Sequence, residues 1–93
     1  MSKYIPERST KFKKDYKRLQ KRGLDMSKLD AVISKLAHGE KLESKYRDHA
    51  LTGNYKGYRN CHIEPDWVLI YRIDGDRLVL ILSETGSHAD LIE

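Results

Sequence analysis

Three of the four histidines of this chain lie in segments that also carry an aspartate and a tryptophan. His49 and His62 frame a segment that runs on into Asp66 and Trp67, and His88 ends a Thr-Gly-Ser-His run. Imidazole titrates near neutral pH, so one ring can accept the proton of a ribose 2′-hydroxyl while another protonates the departing 5′-oxygen. Each positioned acid or base contributes on the order of 10²–10⁴ in rate. These residue types therefore favour an RNA-cleaving site.

Each candidate also has a structural interpretation. A histidine in a loop, in a strand or after a glycine turn can serve the fold alone. Asp66 follows a proline at the entrance to a strand, where an aspartate commonly bonds its own backbone; alternatively it orients an imidazole or acts as a base. Trp67 is either a core residue or a stacking platform for an unstacked base, worth roughly 1–3 kcal/mol.

A metal site is the rival interpretation. Three histidines and Asp66 suit zinc chemically, but no two of the histidines have the i, i+4 spacing of a zinc-binding helix. The single cysteine, Cys61, excludes an internal disulfide and cysteine-rich zinc sites. Because it alternates with His62 along a strand, we expect Cys61 to be a small buried residue on the opposite face. The fourth histidine, His38, is expected to cap a helix C-terminus.

Basic residues are concentrated toward the N-terminal side. Residues 1–59 carry 16 Lys/Arg against 7 Asp/Glu, whereas residues 60–93 carry 2 against 7. The densest block, residues 11–22, contains a single acid, Asp15. Such a block suits a polyanion because phosphate contacts release counterions, although a solvated helix face or an acidic protein partner fits as well. Lys56, Arg59 and Arg47 either bind phosphate or merely solvate the surface.

The length of 93 residues predicts one domain, residues 1–93, with a single small core. No apolar run approaches the ~20 residues that a membrane span needs, and the N-terminus lacks the apolar segment of a signal peptide. We therefore expect a soluble, cytoplasmic protein without a membrane partner.

The periodicity predicts an α+β fold with the element order β-α-α-β-β-β. A short edge strand at Tyr4–Ile5 precedes a helix that Ser9 or Thr10 caps and Gly23 ends. A second helix begins near Asp25 or Ser27 and ends at Gly39, and so short a connection predicts a helical hairpin.

The second half of the chain predicts strands. Residues 39–57 lack periodicity and are expected to form a long loop, which in a small domain is typically functional or partner-binding. Strands follow at 58–63, 67–73 and 77–83, the last two joined by a tight turn at 74–76. Residues 78–82 are all apolar, so this strand is expected to be central in a small antiparallel sheet.

The combination of D-H-x-L-x-G (48–53), H-I-x-P-D-W (62–67) and G-S-H (86–88) resembles the YafQ branch of the RelE-like toxins of bacterial toxin–antitoxin systems. The likeness extends through residues 46–71 and 85–88, and the order of elements and the basic first helix also match. Together these motifs are specific, whereas each alone would be weak evidence.

The resemblance implies a microbial-RNase-like fold that cleaves mRNA in the ribosomal A site without a metal or other cofactor. The 2′-hydroxyl attacks the adjacent phosphate and leaves a 2′,3′-cyclic phosphate and a 5′-hydroxyl. His49, His62, Asp66 and His88 occupy the positions that such toxins use for acid–base chemistry, and Trp67 occupies one used for substrate placement. The implied partners are mRNA, the ribosome with its 16S rRNA, and an antitoxin whose acidic tail covers the basic site.

Two positions depart from the family pattern. Glu84 stands where many relatives carry an arginine that can stabilise the phosphorane charge, and Ile92 stands where relatives often end in an aromatic residue. Because a carboxylate near a developing anion is unfavourable, we expect Glu84 to point away from the phosphate. Arg59, Lys56 or Arg47 would then bind it. The alternative function is a non-catalytic RNA- or ribosome-binding module regulated by an acidic protein partner.

Overall fold

The computed structural model describes residues 2–87 and residue 90. Within this part of the chain, two helices and five strands follow one another in the predicted α+β order, with one additional short strand. The helices are α1 (Thr10–Lys21) and α2 (Met26–Ala37), and the strands are β1 (Ile5–Arg8), β2 (His49–Ala50), β3 (Arg59–Glu64), β4 (Trp67–Asp74) and β5 (Val79–Gly86).

The helix termini confirm the predicted caps. The Ser9 hydroxyl accepts a hydrogen bond from the Phe12 amide at 2.9 Å, and the Asp25 carboxylate accepts one from the Ser27 amide at 3.1 Å. Both bonds satisfy amides that a first helical turn leaves unpaired. His38 is the C-cap of α2 and Gly39 follows it with φ +79°, a conformation that favours glycine.

The sheet has the strand order β1-β5-β4-β3-β2. All neighbours are antiparallel except β1 and β5, which pair in parallel, with Ile5 opposite Val79 and Arg8 opposite Leu82. The prediction of a wholly antiparallel sheet is therefore wrong at this edge. Strand pairing between residues more than 70 positions apart leaves no signal in local periodicity.

The predicted long loop at residues 39–57 contains regular structure. It includes the two-residue strand β2 and single 3-10 turns at Ser44–Tyr46 and Gly53–Tyr55. Its final part crosses the sheet, since Tyr55 contacts Glu84 and the Tyr58 ring lies 5.7 Å from the Arg72 guanidinium carbon. The segment is thus tied to the sheet on both sides of Lys56.

The two faces of the sheet have different coverings. One face packs against both helices and forms the hydrophobic core with the buried side chains Cys61, Ile63, Trp67, Leu69, Tyr71, Leu80 and Leu82. Strand alternation sends His62, Val68, Ile70 and Arg72 to the opposite face, which we call the open face. As predicted, β5 is central, lying between β1 and β4. It extends from Val79 to Gly86, because Leu78 adopts a left-handed conformation (φ +56°) and belongs to the turn.

Candidate functional site

His49 and His62 lie on the same face of neighbouring strands. His49 pairs with Asn60 across β2 and β3, so the two side chains share a face, and His62 is two residues farther along β3. Such diagonal neighbours lie roughly 7–8 Å apart. Both imidazoles therefore face the same region in front of the open face, although they come from distant parts of the motif.

Backbone carbonyls set the tautomer of both rings. His49 Nδ1 lies 2.7 Å from the Arg47 carbonyl oxygen, and His62 Nδ1 lies 3.1 Å from that of Pro65. Because a carbonyl oxygen can only accept, Nδ1 carries the proton in each ring, and Nε2 is the basic nitrogen of the neutral form. The Nδ1–H bond persists when Nε2 is protonated, so a proton can be gained or lost there without rotating the ring.

Asp48 anchors the short strand that carries His49. Its Oδ1 accepts a hydrogen bond from the Tyr71 hydroxyl at 2.6 Å and another from Arg59 Nε at 3.1 Å. Burial, followed by the hydrogen bond to Asp48, raises the pKa of Tyr71, and the bond to Asp48 raises that of Arg59. These bonds join β2 to β3 and β4 and so limit the movement of His49.

Arg59 has a structural contact within the site. Arg59 lies on β3, opposite Tyr71 of β4. The alternation of side chains along β3 places it on the helix-covered face, whereas His62 lies on the other face. The Nε of Arg59 is bonded to Asp48. Arg59 therefore supports the site through Asp48. Its side chain is still 42% exposed, and its role in phosphate binding stays a prediction.

Trp67 is a core residue. Its side chain is 3% exposed, it belongs to the core under the helices, and its indole Nε1 donates to Thr85 Oγ1 at 3.0 Å. A base cannot stack on a ring whose faces are already packed, so the predicted stacking role is wrong for this arrangement. The same hydrogen bond ties the start of β4 to the end of β5, immediately before the Gly-Ser-His motif.

Asp66 lies in the exposed turn between β3 and β4. It lines a cleft of about 410 Å³ together with Ser87 and Arg22. His62 lines a different cleft, and Glu64, the last residue of β3, and Pro65, in the turn, border both clefts. The structure thus places Asp66 and His62 on two sides of one turn.

Glu84 lies on the open face. The cross-strand pairs His49–Asn60, Asn60–Ile70 and Ile70–Glu84 place it in the same row as His49. Its carboxylate accepts a hydrogen bond from the Tyr55 hydroxyl at 3.2 Å and lies 3.8 Å from Lys11 Nζ. Burial and the Glu84 charge raise the pKa of Tyr55. The charge of Glu84 is thus partly balanced by Lys11.

Asp15 is a supporting residue that the sequence reasoning missed. It is 1% exposed, bonds Lys11 and Arg18, and accepts a hydrogen bond from the Thr85 amide at 3.2 Å. This amide lies beyond the last residue of β5 that pairs with β1, so Asp15 satisfies a donor of the strand edge. The available signal was a lone acid within a block of seven cations.

The remaining predicted residues are distributed as follows. Lys56 is exposed after the second 3-10 turn, and Arg47 is exposed with φ +51° and lines the same cleft as His62. His88 and Ile92 lie outside the described residues. Cys61 is fully buried, as predicted, and burial raises the pKa of its thiol to about 12.

Among residues 2–87 and 90, no three His, Cys, Asp or Glu side chains are grouped as metal ligands would be. Neither α1 nor α2 has the length and hydropathy needed to cross a membrane.

Comparison with known proteins gives a consistent result. A family model described as "Bacterial toxin of type II toxin-antitoxin system, YafQ" matches residues 4–93. The "mRNA interferase toxin YafQ" of Escherichia coli K12 is 45% identical over 86 residues, which are 91% of each chain. The toxin structure in the E. coli DinJ–YafQ complex has a TM-score of 0.88 and 41% identity, covering 97% of this chain and 99% of that one. A metal-bound toxin from Helicobacter pylori has a TM-score of 0.90 and 42% identity, covering 96% and 99%.

Proposed function

The chain belongs to the YafQ family of bacterial toxins of type II toxin–antitoxin systems, and we propose that it is an mRNA interferase, an endoribonuclease that cleaves ribosome-bound mRNA. The observation that carries the proposal is the pair His49 and His62, which share one sheet face and have their protonatable Nε2 atoms defined by carbonyl contacts. The name and activity of the E. coli relative support the same reaction.

The proposed chemistry uses groups of this chain alone. One imidazole accepts the proton of the ribose 2′-hydroxyl as its oxygen attacks the adjacent phosphorus. The bond from phosphorus to the 5′-oxygen breaks, and a protonated imidazole supplies the proton to that oxygen. The products are a 2′,3′-cyclic phosphate and a 5′-hydroxyl. We assign these proton transfers to the set His49, His62 and His88, with Asp66 as a further base or an orienting carboxylate.

Phosphate binding falls to cations that reach the substrate side. Lys56 and Arg47 are exposed, and Arg47 lines the cleft that His62 borders. Lys11 lies 3.8 Å from Glu84 on the open face and offsets that charge. Because Asp15 and Glu84 both contact Lys11, its ammonium is positioned rather than freely mobile.

The proposed partners are the ribosome, with its 16S rRNA, and a cognate antitoxin. Most cations of residues 11–22 are exposed on α1, which suits either a phosphate backbone or an acidic antitoxin segment. The DinJ–YafQ complex shows that the E. coli relative assembles with an antitoxin. We propose the cytoplasm as the location, since the substrate complex is the translating ribosome, and a single domain spanning residues 1–93.

Inducible expression in a bacterium tests the function directly. Wild-type protein should arrest growth and produce new mRNA 5′ ends in primer extension, whereas His62→Gln, expressed at the same level, should produce neither. Salt-sensitive ribosome binding without new ends would instead support the non-catalytic binding module.

Metal dependence is tested with purified components. Treatment of the toxin with EDTA before its addition to Mg²⁺-containing ribosomes should leave cleavage unchanged. Loss of cleavage that zinc or copper restores would establish a metal-dependent reaction; a metal-bound relative makes this control necessary.

A further inference from the structure

A cleft of about 650 Å³ lies where α2, the first 3-10 turn and β3 meet, and the proposed catalytic groups account for only part of it. We call it the α2–β3 cleft. Lys28, Lys45 and Arg47 contribute positive charge, and His62 forms part of its wall. Ala31, Ile63 and Pro65 give it apolar surface. A cleft lined by both cationic and apolar residues suits a ligand that joins an anionic group to a flat or apolar group.

The charges of the cleft are incompletely balanced. Among the described residues that line it, Glu64 supplies the one carboxylate and forms an ion pair with Lys28, a contact that raises the pKa of Lys28. Lys45 has only a 3.8 Å contact with Glu43 and is 70% exposed. Within residues 2–87 and 90, the Arg47 guanidinium has no ion pair. Lys45 and Arg47 are therefore available to an incoming anion.

Local structure holds these two cations at the rim. Lys45 Nζ lies 5.2 Å from the centre of the Tyr46 ring, within the range of a cation–π contact. Arg47 adopts φ +51°, an uncommon conformation for a residue with a side chain. Its carbonyl oxygen accepts the His49 Nδ1 bond, and the same residue thus links the cleft to a catalytic histidine.

We propose that the α2–β3 cleft is a subsite for the RNA nucleotide next to the scissile phosphodiester. Its phosphate binds Lys45 and Arg47, and its sugar or base lies on Ala31, Ile63 and Pro65. This inference rests on the proposed nuclease function and names the part of the substrate that the cleft holds. His62, shared by the cleft and the catalytic face, fixes the subsite as an immediate neighbour of the reacting bond.

An acidic peptide of the antitoxin is the other ligand of suitable charge. The cleft volume is that of a small-molecule site, which spans ≈ 300–1,000 Å³. One nucleotide matches its chemistry, because a phosphate can bind the cations while the attached sugar or base contacts Ala31, Ile63 and Pro65. The experiment distinguishes a nucleotide from a peptide segment.

The test is single-turnover cleavage of mRNA on programmed ribosomes, with increasing concentrations of toxin. The variant Lys45→Gln/Arg47→Gln should need about tenfold more toxin for half-maximal cleavage, a larger change than the change in its maximal rate. The control Lys3→Gln/Lys41→Gln removes the same charge from exposed sites away from the cleft and should behave as wild type. Thermal unfolding of all three proteins establishes that each is folded.

Messages with altered phosphates show whether the contact is to mRNA. A neutral methylphosphonate replaces the phosphate on the 5′ side of the nucleotide before the scissile bond, or the phosphate on the 3′ side of the nucleotide after it. For one of these messages, the wild type should need about tenfold more toxin for half-maximal cleavage, whereas the variant should need little more than it does with unmodified mRNA, because the mutation and the neutral phosphate delete the same contact. If, with both messages, the loss of affinity from the mutation adds to the loss from the altered mRNA, the proposal is overturned and the two cations contact rRNA instead.

Two further outcomes separate this inference from the function. If the wild type cleaves and the double variant equals it in half-maximal concentration, the subsite is refuted while the nuclease function stands. A variant that keeps wild-type cleavage but loses affinity for purified antitoxin would identify a peptide site instead. If the wild type makes no new RNA ends, the proposed function itself fails.

Discussion

The two faces of the sheet consist of alternate residues of the same strands, yet they serve different purposes. On the helix-covered face, Leu69, Leu80 and Leu82 are at most 1% exposed and belong to the hydrophobic core. The open face also has buried apolar residues, Val68 and Ile70, but there Asn60 and Glu84 are polar and His49 is exposed. The contrast shows that stability and chemistry can be separated by a two-residue period, as long as one face has a complete core.

The separation is not absolute, because bonds from the covered side position groups of the open side. Tyr71 lies in the core, but its hydroxyl holds Asp48 beside His49. Trp67 and Asp15 are buried, and both bond Thr85 before the Gly-Ser-His motif. The core therefore helps to set the geometry of the proposed site.

The sharpest test of this contrast substitutes the histidines of the open face. His49→Gln or His62→Gln should reduce cleavage by about 10²–10⁴-fold, because each removes a proton-transfer group. The thermal midpoint should remain near that of wild type, since neither side chain belongs to the core. Single-turnover cleavage and calorimetry on the same preparations measure both effects. Full activity of both variants would refute the catalytic assignment.

A core substitution should give the converse result. Leu80→Ala removes a side chain that is 0% exposed in the central strand and should lower the free energy of unfolding by about 2–5 kcal/mol. Cleavage per folded molecule should be unchanged at a temperature at which the variant is folded. Denaturant titration measures the loss, and a cost below about 1 kcal/mol would show that the helix-covered core is less complete than the structure indicates.

A substitution of Trp67 tests whether this residue acts through core packing or through contact with RNA. Trp67→Phe keeps an aromatic ring but deletes the hydrogen bond from Nε1 to Thr85. The free energy of unfolding should therefore fall by about 1–3 kcal/mol. If the residue acts only through packing, cleavage at low temperature should be nearly unaffected. A normal midpoint combined with a tenfold weaker RNA interaction would restore the stacking role that its burial argues against.

The smallest expected effect is the contribution of the Cys61 thiol to the pH dependence of stability. Cys61 lies on the helix-covered face, so this effect concerns that face alone. Burial raises its pKa from 9.0 to about 12, so the folded state retains a proton that the unfolded state releases between these values. The associated stability is complete below pH 9 and falls above it, by at most about 1.4 kcal/mol per pH unit. Denaturant titrations at pH 8 and pH 10, each paired with Cys61→Ala, isolate this contribution. Equal pH dependence in both proteins would show that the thiol titrates normally.

Short-range patterns in the sequence predicted much of the fold. Ser9, Asp25, His38 and Gly39 specify helix ends through contacts within a few residues, and the structure confirms them. The alternation of Cys61 and His62 likewise predicted which of the two is buried. Local chemistry determines such features, so they can be read without knowledge of the remaining chain.

Long-range pairing decided the rest. Three features join residues more than 20 positions apart. They are the parallel pairing of β1 with β5, the hydrogen bond between Tyr71 and Asp48, and the placement of Glu84 in the same cross-strand row as His49. A cross-strand register shifted by one residue would reverse the face of every side chain in a strand. By itself, the sequence therefore determined the kinds of groups available for RNA cleavage. Only the tertiary structure decided which of them share a face, because that choice depends on packing one core against two helices.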